Sequence, residues 1–126
     1  MGMSDEISAM LDSESAKLAK LIDAVHPGIA IREIIETYYQ IMNVTSIIAM
    51  LGQRPGAADL TEKIKAADES ISRFNAEVHP MISRRLDDSI SDIKAGLESG
   101  ESDSYDELRK MMSTREFVGQ YEKGLA

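Results

Sequence analysis

His26 and His79 are the chain's two histidines, and each sits in the same five-residue setting: Val25-His26-Pro27-Gly28-Ile29 recurs as Val78-His79-Pro80-Met81-Ile82. An imidazole changes charge near neutral pH and ligates divalent metals through a neutral ring nitrogen, so proton transfer and metal binding are the first chemistries to consider. Asp23 stands three residues before His26. That carboxylate–histidine spacing puts two ligands on one face of a helix, as in carboxylate-bridged di-metal bundles. With Glu33 and Glu36 close behind in the chain, Asp23, His26, Glu33, Glu36 and His79 make up the candidate ligand set. The second histidine lacks the motif: position 76 is Ala, and Glu77, two residues before His79, falls on a different side of a helix. The competing reading is that both histidines cap or flank helix junctions, and no cofactor is assigned.

Glu33-Ile34-Ile35-Glu36 and Asp59-Leu60-Thr61-Glu62 carry two acidic pairs. In those four carboxylates the chain resembles the all-α nucleoside triphosphate pyrophosphohydrolases, whose acidic pairs bind magnesium, although the second pair has its acids in reverse order. The resemblance implies a metal-dependent hydrolase. Against it, antiparallel helices joined by a loop at 52–58 would set Glu36 and Asp59 roughly 20 Å or more apart at 1.5 Å per residue. No covalent nucleophile is arranged elsewhere. Cysteine is absent, the serines are scattered among polar neighbours, and neither a glycine-rich phosphate cradle nor a G-x-S-x-G turn occurs.

The elements that must position these residues are helical. Of the 126 residues 43% are apolar, yet only 5% are aromatic and none is Trp, a composition suited to aliphatic helix packing. A first helix is expected over about 5–25, capped by Ser4, with Ile7, Met10, Leu11, Leu18, Leu21, Ile22 and Val25 on one stripe. His26-Pro27-Gly28 breaks it. A second helix over about 29–51 is apolar around most of its circumference and must be buried on more than one side. Gly52-Gln53-Arg54-Pro55-Gly56 reads as a loop. Residues 59–98 keep one apolar phase from Leu60 to Leu97, capped by Asp59 with Glu62, and read either as one helix kinked at Pro80 or as two helices divided there. A last helix over about 105–122 starts from Ser104 paired with Glu107 and ends at Gly124. The expected fold is all-α: a single domain over 1–126, an up-and-down antiparallel bundle of four to five helices with left-handed twist. The histidine repeat is consistent with a duplicated hairpin or with two similar junctions.

Charge narrows the partners. A net charge of −8 repels phosphate backbones and anionic lipid, so neither nucleic acid nor membrane is an expected partner. The longest uncharged run, Thr37 to Leu51, is short of the about 20 apolar residues a spanning helix needs. No disulfide framework and no secretory start at Met1-Gly2-Met3-Ser4-Asp5-Glu6 point outside the cytoplasm. Arg84 with Asp88 and Glu69 with Arg73 have the spacing of exposed helix pairs.

The second helix poses the functional question. It serves as the central helix of a monomer, as a dimer interface, or as the wall of a pocket in which Tyr38, Tyr39, Gln40 and Asn43 supply polar contacts. Tyr38, Tyr39, Met42, Ile47, Ile48 and Met50 are the interface or pocket candidates. A 40-residue helix overhanging its shorter neighbours would need a second protomer to cover its stripe, so a homodimer is the favoured assembly, with another protein as a further partner. A non-catalytic bundle acting through protein contacts, self-association included, is the leading expectation. A small-molecule- or metal-binding bundle, a hydrolase among the options, is the alternative.

Overall fold

The computed structural model describes residues 3–26, 28–100 and 105–125, and every regular element in them is helical. Helix α1 runs Met3–Ala24 and α2 Ile31–Gly52. A 3₁₀ turn, Ala57–Leu60, leads into α3, Thr61–Arg73; a π-helical stretch, Phe74–Val78, joins it to α4, His79–Glu98; and α5 is Tyr105–Leu125. The chain is an all-α bundle. No helix among the described residues is long and apolar enough to cross a membrane.

In α1 the buried positions are Ile7, Leu11, Leu18 and Ile22, with Val25 just past the end. Steps of three, four and seven residues return a side chain to the same face of a helix. Asp5 and Glu6 lie in the first turn, where the positive end of the dipole favours carboxylates. The helix starts before Ser4, at Met3, so Ser4 stands inside it and not ahead of it. After His26 the backbone re-enters helix through Ala30, which is extended at φ −64°, ψ 145°. The His26 Nδ1 accepts the Gly28 N–H at 3.2 Å and so pins this turn.

α2 buries Ile34, Ile35, Tyr38, Ile41, Met42, Val44, Ile48 and Leu51. It packs on α1 along one side and on α3 and α4 along the other, which is why its apolar residues wrap so much of the circumference.

From Ala57 to Glu98 the chain is a helical rod of about 60 Å, its 3₁₀ start joined to α3 through Leu60 at φ −111°, ψ 31°. It opens at Gly56, whose φ of 93° sets the start of the 3₁₀ turn. Asp59 lies inside that turn, and no side chain caps either Gly56 or Leu60, so the expected Asp59–Glu62 capping box does not form. Pro80 neither breaks nor ends the rod. A proline clashes with the carbonyl four residues back, and the wider π turn just before it relieves that demand: the His79 N–H reaches the Phe74 carbonyl, five residues back.

Two helices cover the rod in succession. α1 lies along α3, with Asp12 on Lys63 at 2.8 Å and with Ile22 and Asp23 beside Ser70 and Arg73. α5 lies along α4, where Arg115 meets Asp87 at 2.8 Å, and reaches the π stretch, where Tyr121 meets Asn75 at 2.6 Å. The overhang expected from a long helix among short ones is thus largely covered within the chain by α5. α5 also continues past Gly124 to Leu125. The expected Ser104 cap lies outside the described residues. The two histidine segments take different shapes, an exposed turn at His26 and mid-rod helix at His79, so they are not two similar junctions. Gly28 lies in the turn of the first copy, whereas Met81 and Ile82 carry the apolar stripe onward in the second.

Candidate functional site

The bundle's most concentrated polar chemistry lies where the π stretch delivers His79 into the core. His79 is 2% exposed, and Tyr38 and Phe74 are fully buried beside it. Tyr38 arrives from α2 because it follows Ile34 by four and precedes Ile41 by three, on the inward stripe. Its hydroxyl lies 3.3 Å from His79 Nε2. On the other side of the ring, Nδ1 is 3.4 Å from the Glu122 carboxylate, which accepts a hydrogen bond from Ser83 Oγ. The Tyr121 ring lies against the imidazole with centroids 4.9 Å apart at 31°, and its hydroxyl donates to Asn75 Oδ1. Phe74 and Tyr38 close the remaining sides edge-on, at 5.8 and 5.6 Å.

These contacts select a protonation state. Burial holds the imidazole below its usual value of 6.5; Glu122 opposes that shift and Arg115 adds to it. A neutral ring suits both neighbours: Nε2 accepts from the Tyr38 hydroxyl, which leaves the proton on Nδ1, the side that the Glu122 carboxylate faces at 3.4 Å. Burial pushes the Tyr38 phenol well above its ordinary range, so it stays a donor, and burial raises Tyr121 as well. The result is a carboxylate–imidazole–phenol cluster with the Tyr38 hydroxyl deep in the core. The larger surface grooves are lined by other residues. The contacts of this cluster join α2, the rod and α5.

The five sequence-derived ligand candidates are not brought together. Asp23 is exposed beside Arg73; His26 is exposed in its turn; Glu33 and Glu36 are exposed on α2; and His79 is in the core. Among the described residues no three His, Asp or Glu side chains are placed to hold a metal ion. Of the interface candidates, Tyr38, Met42 and Ile48 are core, Ile47 is half-buried, and Tyr39 and Met50 are 42% and 60% exposed. They form no single surface. Glu122, Tyr121 and Asn75 were not among the sequence-derived candidates. Glu122 and Tyr121 fall on the inward side of α5, four and three residues past Val118, so the buried stripe itself carries the signal.

Three surface grooves flank α2 and α5. One of about 580 Å³ runs between the first turns of α2 and α5, with Ile31, Ile35 and Met111 in its floor and Arg32, Asp106, Glu107 and Lys110 at its edge. One of about 820 Å³ follows α4 and α5 past Ile90, Met112 and Gly119. The third, of about 350 Å³, lies between α1 and α2. No protein-family model, curated protein sequence or solved structure matches this chain.

Proposed function

We propose that this chain is a non-catalytic helical-bundle module that works through protein contacts, self-association included, and that the face shared by α2 and α5 makes those contacts. The observation that carries this reading is the seam between the two helices. Long side chains bridge it: Tyr39 Oη reaches Thr114 Oγ1 at 3.2 Å, and Arg32 stands 4.0 Å from Glu107. Beside the groove floored by Ile31, Ile35 and Met111, the rings of Tyr39 and Phe117 pair at 5.6 Å and remain 42% and 41% exposed. Half-exposed aromatic rings next to an apolar floor with a charged edge have the anatomy of a contact surface. The edge also carries both signs, which lets two chains of net −8 approach each other there with less repulsion than elsewhere.

Light scattering across the micromolar range tests the proposal. The expected result is a mass above the monomer that falls on dilution, and Phe117→Ser or Tyr39→Ser should weaken association about tenfold or more. A monomeric mass at every concentration, or serine variants that associate like the parent, overturns it.

A further inference from the structure

Helix α5 is held differently from the rest of the bundle. α1 buries Ile7, Leu11, Leu18 and Ile22, and α2 buries apolar side chains along its whole length, whereas the buried positions of α5 among the described residues are Met111, Thr114 and Val118. One of those three carries a hydroxyl, which bonds the Lys110 carbonyl of its own helix at 3.0 Å and meets Tyr39 Oη. The bulkier side chains Tyr105, Met112 and Phe117 lie on the exposed side. Since packing of an apolar face is what stabilises most helices in proteins, α5 is short of the interaction it most needs.

Its remaining attachments are polar. Arg115 meets Asp87, Tyr121 meets Asn75, and Glu122 meets His79 and Ser83. The Asp87 and Glu122 carboxylates both stand partly in solvent, and the Arg32–Glu107 pair across to α2 is exposed at both ends. Water replaces such partners when a helix leaves, so each bond contributes little net. The helix is also weak in itself. Gly119 lies in its interior, where glycine is the least favourable residue after proline. A Cβ there would meet Arg115 Nη1 at an ordinary 3.5 Å, so packing does not require the glycine.

We propose that α5 is a releasable cover, which undocks and unfolds as one unit while α1, α2 and the rod stay folded. Few buried apolar contacts and solvent-facing bonds are the marks of the segments that open first in a native protein. Release uncovers the aromatic face of α2 and the rod, where Phe117 rests on Tyr38 with ring centroids 6.0 Å apart and Tyr121 on His79 at 4.9 Å. The opening is intramolecular and does not rest on the α2–α5 face being a contact surface; a partner bound across that face would hold α5 closed.

Amide hydrogen exchange of the full chain across sub-denaturing urea tests the proposal. Residues 112–120 are expected to exchange as one group, at least about tenfold less protected than residues 41–48 of α2. Their urea dependence should be the weaker, because releasing one helix exposes less surface than unfolding the whole chain. Two variants separate release from global unfolding. Ile22→Val shortens a buried side chain on the α1–α3 side; it should lower protection in α2 about threefold and leave that of α5 unchanged. Gly119→Ala should raise protection in α5 about fivefold. Equal protection and urea dependence in the two helices, an Ile22→Val effect of the same size in both, or unchanged α5 protection in Gly119→Ala overturns the proposal.

Discussion

The hydroxyl of Tyr38 and Nε2 of His79 meet at 3.3 Å across a separation of 41 residues, with neither side chain exposed to solvent. That bond ties α2 to the middle of the rod, and Glu122 on the far nitrogen ties the rod to α5. Tyr38→Phe keeps the ring and deletes the donor, leaving a buried imidazole nitrogen unpaired. The expected loss is about 1–3 kcal/mol in urea unfolding. A double-mutant cycle with Glu122→Gln should give a non-zero coupling, because both partners act on one imidazole. Strictly additive losses would show the two bonds to be independent.

The same imidazole makes stability depend on pH in a defined direction. Burial lowers the folded-state affinity of His79 for a proton relative to the ordinary value of 6.5. Between 6.5 and that lower folded value, the unfolded chain binds a proton that the folded chain refuses, so stability rises with pH across the window and falls as pH drops through it. His79→Gln removes the titration. Urea midpoints of parent and variant measured from slightly alkaline to mildly acid buffer should converge as the pH falls. A constant difference would show that His79 does not titrate differently in the two states.

Much of the fold is legible in the sequence because helix period is a strong signal. Ile7, Leu11, Leu18 and Ile22 are buried as their spacing requires, and the loop expected at 52–56 occupies 53–56, with Gly52 still in α2. The site is harder to read for a geometric reason. Adjacent helix residues point about 100° apart, so Tyr38 goes to the core and Tyr39 to the surface, though the sequence presents them as a pair. The meeting of Tyr38, His79 and Glu122 depends on how three helices lie together, which local periodicity does not encode. The π stretch was hidden too, because the apolar phase runs unbroken through Pro80 and gives no sign of the wider turn. Local electrostatics were partly misassigned: Arg73 pairs with Glu77 at 3.4 Å rather than with Glu69.

Two glycines should respond oppositely to alanine. Gly56 sits at φ 93°, a conformation that costs an L-residue about 1–2 kcal/mol, so Gly56→Ala should destabilise by that amount. Gly52 closes α2 with open space where a Cβ would go, and Gly52→Ala should stabilise by about 0.5–1 kcal/mol through the unfolded chain. Thermal melts of the two variants check both signs. Equal effects would mean that the turn at Gly56 relaxes readily to negative φ.

Pro80 tests whether the rod was built around its proline. In a regular helix a proline loses one hydrogen bond and its ring presses on the carbonyl four residues back, at a cost of about 3 kcal/mol. Here it sits in the first turn of α4, directly after a π stretch in which His79 N–H has already passed to the Phe74 carbonyl. If the wide turn accommodates the ring, Pro80→Ala has little strain to release and should change stability by less than about 1 kcal/mol. The contrasting substitution is Ala66→Pro, at an exposed position in the regular turns of α3, where the full cost of about 3 kcal/mol should appear. Urea unfolding of both variants decides the matter. A gain near 3 kcal/mol for Pro80→Ala would mean that the ring strains the rod, and that the π turn is held by the grip of Tyr38 and Glu122 on His79 rather than by the proline that follows it.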